Sequence, residues 1–333
     1  MADAYETDTV AGVSALLAKL NTFLLANNWE VLRNDIYATG TAAFTNYGLI
    51  FRSKGFLGTD YRYYGIELET DDAISAPSYA NLKLQHFTSY DGTLTNDNQD
   101  GAIPNPPKIL SEISDDFDYH FVINDNRLII VTTHTIVAAV VHEIAYLGGI
   151  KAYGTIDEYQ NMVLVGGSAH YDTADGMNAI ADVNRSHSAF FNPYSSSTSP
   201  YSTPFYYDTR TSCMLRYNGL WKGFINGSYL SASYTYLTER GVFPYASNKS
   251  ATRYWLTIAK TEDDDIPMFP IILMDRKDGA DIIYGELDGV FAVTGGLATT
   301  DTLTQGGYNY LIVQNAWRSG LDYELCAVKI DAV

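Results

Sequence analysis

Cysteine is scarce: Cys213 and Cys326 are the only two in 333 residues. Each sits in an apolar, strand-like run, "SCMLRY" and "ELCAVKI", which favours buried free thiols over a disulfide framework. Basic residues are few as well, with 21 Lys and Arg against 39 Asp and Glu, a formal net charge of -18. A phosphate backbone or an anionic membrane surface would be repelled, so neither nucleic acid nor membrane is an expected partner. Long apolar runs are missing, and none approaches the roughly 18 residues that span a bilayer. The first residues, "MADAYETDTV", lack the basic start and apolar core of a signal peptide, which implies a soluble protein made in the cytosol. Only 18% of residues are charged and 46% are hydrophobic, enough apolar material for packed cores rather than a disordered tail.

Recognisable enzyme signatures are also missing, each at an identifiable residue. His142 and Glu143 begin an H-E-x-x-H zinc helix, but the position of the second histidine is Tyr146. The segment "NDNQDG" starting at Asn96 opens like a calcium loop, yet Pro107 stands where a bidentate glutamate belongs, leaving an Asn- and Asp-rich turn. The acidic run "TEDDDIP" reads as solvated loop charge. No G-x-S-x-G elbow, phosphate-cradling P-loop or G-x-G-x-x-G turn is present, and Ser186 and His187 are neighbours in a loop. Glu286 and Asp288 in "YGELDG" share one face if the segment is a strand, which leaves a glycan hydrolase as a minor alternative. The expectation is therefore a non-enzymatic protein with no cofactor and no metal.

What the chain has in excess is aromatic side chains: 27 Tyr, 14 Phe and 4 Trp. Such rings suit both β-rich cores and interfaces between subunits. Apolar residues Val10, Val13, Leu16, Leu17, Leu20, Phe23 and Leu24 recur at helical spacing, predicting an amphipathic helix over "TVAGVSALLAKLNTFLLANN". Thr7 or Thr9 would cap it, Asp8 would favour its positive end, and Asn27 and Asn28 would terminate it. Short strand-like runs follow, from "YGLIFRS" to "RLIIVTTH", with a hairpin at Asn124 to Asn126. In "TIVAAVVHEIAYLGGI" a helix would group Val137, Val140, Val141 and Ile144, but the β-branched residues favour an extended strand with His142 and Glu143 on opposite faces.

Residues 171–212 are rich in Ser, Thr, Pro and Tyr without period, and separate residues 1–170 from a second strand-rich unit, 213–333. The fold class expected is α+β, mainly antiparallel β, with an N-terminal amphipathic helix followed by two β-rich units.

Taken in order, "NNWEVLRND", "YYGIEL", "HFTSYDG", "YHFVINDNRLIIVTTH", "HEIAYLGGI", "EYQNMVLVGGS", "GELDGVFAVTGG" and "YNYLIVQNAWRSGLDYELCAVKI" resemble a family of virion structural proteins of tailed bacteriophages. That family has an "ANDRRI"-like hairpin turn, then a "Y-x-x-x-Y-L-G" segment and an "E-Y-P-x-P-L-x-x-G-G" segment. Tyr146, Leu147 and Gly148 match the second of these, whereas Gln160 and Met162 replace the two prolines of the third. The resemblance covers nearly the whole chain apart from the middle loop. It implies a structural subunit in the virion, assembled in the host cytoplasm in several copies at the neck or collar, tail or baseplate, whose partners are copies of itself and other virion proteins. A receptor- or glycan-binding protein of the baseplate or tail tip is the alternative, with "SYLSASYTYL" (228–237) offering rings to sugars. Candidate inter-subunit contacts are Val13 and Leu17 of the helix, Tyr201, Phe205, Tyr206 and Tyr207 of the middle loop, and the polar pair His142 and Glu143.

Overall fold

The computed structural model describes residues 3–35, 48–55, 58–69, 79–104, 106–136, 139–154, 162–167, 213–224, 240–243, 265–277, 280–293, 297–314 and 325–332. They form a mainly antiparallel β protein with a single α-helix among the described residues. In chain order the elements are β1 (Ala4–Ala11), α1 (Gly12–Ala26), β2 (Glu30–Asn34), β3 (Gly48–Ser53), β4 (Arg62–Glu69), β5 (Tyr79–Phe87), β6 (Lys108–Glu112), β7 (Asp116–Ile123), β8 (Arg127–Ile136), β9 (Ala139–Ala152) and β10 (Val163–Gly167). The remainder are β11 (Cys213–Tyr217), β12 (Leu220–Phe224), β13 (Arg240–Phe243), β14 (Met268–Lys277), β15 (Ala280–Val293), β16 (Thr302–Gln305), β17 (Tyr308–Gln314) and β18 (Leu325–Ala332).

Two sheets result. One has five strands in the order β2-β3-β4-β5-β6. The other has thirteen, and its main path runs β1-β7-β8-β9-β15-β18-β17-β16. This larger sheet draws strands from both sides of residues 171–212: β10 pairs with β11, and β9 pairs with β15 through Gly285↔Ala152, Glu286↔Lys151 and Leu287↔Ile150. The boundary expected there therefore does not separate two sheets.

Side-chain alternation explains why β7 to β10 read as nearly continuous apolar runs. Phe117, Tyr119, Phe121, Leu128, Ile130, Ala145, Leu147, Val163 and Val165 enter a core shared with α1 and the five-stranded sheet. Their neighbours Val122, Ile129, Val131, Ile144, Tyr146 and Leu164 enter a second core, packed against Leu273, Leu287, Val290, Val313 and Val328. A strand covered on both faces has no polar side to show, so alternation in hydropathy vanishes while alternation in direction persists. Burying one such aliphatic side chain stabilises by about 1.5–3 kcal/mol.

Helix α1 buries Val13, Leu16, Leu17, Leu20, Phe23 and Leu24, as its spacing predicts, with Phe23 against Phe121 at 5.7 Å between ring centroids. Its start differs from the expectation. Residues 4–11 are strand β1, paired with β7 from Ala4↔Ile123 to Ala11↔Asp116, and Ala11 caps the helix without a side-chain hydrogen bond. Thr7 and Thr9 instead hold the strand pair, through Tyr119 O at 2.9 Å and Asp118 Oδ1 at 2.6 Å. The ladder satisfies every second backbone group at once, which outweighs a local cap, and Gly12 at φ +77° makes the corner that side chains disfavour. The helix ends as expected: Asn27 donates its amide to Phe23 O at 2.8 Å, and Asn28 takes φ +63°. Among the described residues no helix is long and apolar enough to cross a membrane.

Within the run "TIVAAVVHEIAYLGGI", Thr135 and Ile136 end β8 and Ala139 to Ile150 lie in β9, and the expected hairpin at Asn124 to Asn126 joins β7 to β8. Cys213 and Cys326 are buried in the second core with no disulfide between them.

Candidate functional site

The densest polar cluster is built on the β7–β8 hairpin. Asn124 folds the turn, its Oδ1 accepting the backbone N–H of Asn126 at 2.8 Å and of Arg127 at 3.0 Å. Its carbonyl accepts the Trp29 indole N–H at 3.0 Å. Its amide nitrogen donates to Asp3 Oδ1 at 2.9 Å and to Asp288 Oδ2 at 3.1 Å. Between those carboxylates lies Arg127, whose side chain is 0% exposed; Nη2 donates to Asp3 Oδ1 at 2.9 Å and Nε lies 3.4 Å from Asp288 Oδ2. Two lysines complete the set. Lys151 Nζ is 3.2 Å from Asp288 Oδ1 and 3.9 Å from Glu286 Oε1, and Lys329 Nζ is 3.7 Å from Asp3 Oδ2 and 3.7 Å from the centre of the Tyr308 ring.

Glycines let the hairpin approach so closely. A Cβ on Gly148 would meet the backbone of Asn126 and Arg127, and one on Gly149 would meet the Arg62 guanidinium and Asn126 Oδ1. Asn126 accepts from Arg62 Nη1 at 2.5 Å, donates to Gly149 O at 3.2 Å, and so joins β4 of the small sheet to β9 of the large one. Tyr146 donates its hydroxyl to Gly149 O at 2.7 Å and accepts the Asp288 backbone N–H at 3.3 Å. The cluster is therefore a clamp that fastens β1, the β7–β8 hairpin, β9, β15 and β18 together.

Burial pushes the Asp288 carboxyl up, but the charges of Arg127 and Lys151 with hydrogen bonds from Asn124 and Lys151 outweigh it, and the group is held below its ordinary range. Burial, reinforced by the Asp288 charge, pushes the Tyr146 phenol up and keeps it a donor. A general acid must carry its proton near neutral pH, and Asp288 is set in the opposite sense. Glu286 accepts from Tyr153 at 2.7 Å and shares Lys151 with Asp288, so the two carboxylates do come together, as partners of one ammonium group. Beside the clamp opens a cleft of about 350 Å³, lined by Asp3, Asn124, Asp125, Lys151, Asp288, Phe291, Tyr308, Tyr310 and Lys329 among others.

The candidate contacts fare differently. Val13 and Leu17 are 2% and 0% exposed within the chain's own core, so the expectation that they meet a neighbouring subunit is corrected: their face of the helix is already covered. Tyr201, Phe205, Tyr206 and Tyr207, like residues 228–237, lie outside the described residues. His142 and Glu143 are on opposite faces of a stretch of β9 paired with β8. The His142 ring meets Thr133 Oγ1 at 3.1 Å, and burial, then the nearby His134 and His120, push its pKa down to about 4. Glu143 is 1% exposed. Among the described residues no group of three or more His, Cys, Asp or Glu could hold a metal ion. Within the "NDNQDG" segment Asn96–Asn98 form a short 3-10 turn, and Asn96 Oδ1 accepts from Arg33 Nη2 at 2.8 Å.

Sequence reasoning found the Asn124 turn and the Tyr146–Gly149 segment as pieces, and missed that Asp3, Arg127, Asp288 and Lys329 converge on them. The signals were present as single charges in otherwise apolar strands. No protein-family model and no curated protein sequence matches this chain.

Proposed function

We propose that this protein is a non-enzymatic structural subunit of a tailed-bacteriophage virion, assembling in several copies at the neck or collar or in the tail. One observation carries the reading beyond the resemblance of sequence. The turn at Asn124–Arg127 and the Tyr146–Gly149 segment, two motifs on which that resemblance rests, meet in the clamp, where Gly149 N–H donates to Asn126 O at 3.1 Å and Gly148 lies against Arg127. Their chemistry is the fastening of strands: opposite charges are paired, and the carboxylate at the centre is held ionised. Residues arranged this way serve rigidity, which a subunit under assembly load requires, and supply no poised acid or nucleophile.

Quantitative mass spectrometry of purified virions is the test. The protein should be present at a fixed copy number relative to the major head and tail proteins, and absence from washed particles refutes the proposal. The acidic surface expected from a net charge of -18 adds a second readout. Partner surfaces should carry Lys and Arg, so binding to them should weaken as salt rises, because rim-exposed pairs are screened beyond about 8–10 Å.

A further inference from the structure

We infer that the cleft beside the clamp is a binding site for a neutral sugar, one or two rings in size. At about 350 Å³ it lies at the small end of the range for small-molecule pockets, roughly 300–1,000 Å³. Its charges are balanced. The acids Asp3, Asp125 and Asp288 face Lys151 and Lys329 in the lining, with Arg127 directly behind. Asp288 and Lys151 are 3.2 Å apart, and Asp3 and Lys329 3.7 Å, so the wall offers donors and acceptors of both kinds at little net charge.

That balance selects the ligand class. A bound ion of either sign would meet a like charge beside every opposite one, so it would gain little net attraction from the wall or would have to break an internal pair. Hydroxyl groups meet no such opposition, since each both donates and accepts and can bridge a carboxylate to an ammonium. The apolar part of the wall fits the same class. Tyr308, 38% exposed and with Lys329 over one face of its ring, lines the cleft together with the half-buried Phe291, and such rings pack against the C–H face of a pyranose. The polar groups are held in place before any ligand arrives, by the buried Arg127 and by Asn124, which lowers the ordering cost of binding. The inference stands or falls independently of the virion assignment.

The test is a saturation-transfer NMR titration of the full chain with the methyl glycosides of glucose, galactose and N-acetylglucosamine at millimolar concentrations, with glucuronate as the charged comparison. At least one neutral glycoside should bind. Tyr308→Ala should weaken it by about tenfold or more, and Leu220→Ala, on an exposed hairpin, should leave it unchanged. Oligosaccharides of the same sugar separate two sources: tighter binding with length marks one subsite of a surface glycan, and equal binding marks a free sugar. Failure of every neutral glycoside to bind overturns the inference, as does equal binding by Tyr308→Ala or a preference for glucuronate.

Discussion

Replacing Arg127 with Met keeps most of the side-chain volume and removes the charge, which isolates the electrostatic part of the clamp. Asp3 and Asp288, with side chains 4% and 13% exposed, would then keep their negative charge in a poorly hydrated site. Breaking a buried ion pair by removing one partner costs about 3–5 kcal/mol, because the charge left behind is uncompensated. Here each carboxylate retains a second cation and an Asn124 amide hydrogen: Lys329 at 3.7 Å for Asp3, and Lys151 at 3.2 Å for Asp288. The loss should therefore fall at the lower end, about 3 kcal/mol, still a large part of the 5–15 kcal/mol that holds a typical domain. Urea unfolding followed by tryptophan fluorescence is the assay, the shift in midpoint giving the difference at constant slope. Trp29 is a suitable reporter, since its indole donates to the hairpin carbonyl. The triple variant Asp3→Asn, Arg127→Met, Asp288→Asn should recover most of the loss, as neutral replacements of a buried ionic group often do. A single variant that costs less than about 1 kcal/mol, or a triple variant as unstable as the single, refutes the reasoning.

Three further outcomes follow from the same geometry. Because the Asp288 carboxyl is depressed in the folded state, its contribution is fully present above its unfolded pKa, about 3.9, and is lost as pH falls through the lower folded value. Asp288→Asn should thus flatten the acid limb of the stability profile, and an unchanged limb counts against the pairing. His142 is the reverse case in cause: the unfolded ring takes its proton near pH 6.5, the folded one only at about 4, so stability is fully present above 6.5 and drains away between those values. His142→Gln should remove about 2 kcal/mol of that decline, allowing for the ring's partial exposure, in urea midpoints compared near pH 7 and pH 4.5. Gly149→Ala should cost about 2–3 kcal/mol by driving a methyl group into Arg62 and Asn126, whereas Gly219→Ala, at φ +73° with open space around it, should cost only about 1–2 kcal/mol in the same assay. Equal costs would show that backbone conformation, not the clamp, sets the requirement for glycine.

The fold was legible where a segment's own pattern coincided with its tertiary surroundings. The Val13–Leu24 stripe declared a helix with one buried face, and the β-branched run around Val140 declared a strand even though His142 and Glu143 resembled a zinc motif. Legibility failed where a distant partner decided. Residues 4–11 carry threonines that suit a helix cap, yet β7, more than a hundred residues away, turns them into an edge strand, and nothing within the local window announces that pairing. The sharing of one sheet across residues 171–212 was hidden for the same reason, since β9 and β15 pair over only three positions.

The clamp shows a stricter limit. Asp3, Arg127, Asp288 and Lys329 are spread over almost the entire chain, and each is a single charge beside apolar or turn residues, a pattern that also describes solvated surface. What distinguishes them is dielectric environment, and that is created only when β1, the hairpin, β9, β15 and β18 have already come together. The accompanying glycines carry more local information: "LGG" after an apolar strand, and "ELDGV" with Gly289 at φ +66° against the Arg127 guanidinium, mark places where something must approach the backbone. A glycine inside a strand thus indicates that a partner is coming, while the identity of the partner, an arginine from a hairpin some twenty residues before Gly148 and over a hundred and sixty before Gly289, is a property of the assembled fold. Catalytic candidates drawn from charge alone, such as Glu286 and Asp288, inherit this ambiguity, because two carboxylates side by side describe a hydrolase and a salt-bridged strand equally well until Lys151 is placed between them and Arg127 against Asp288.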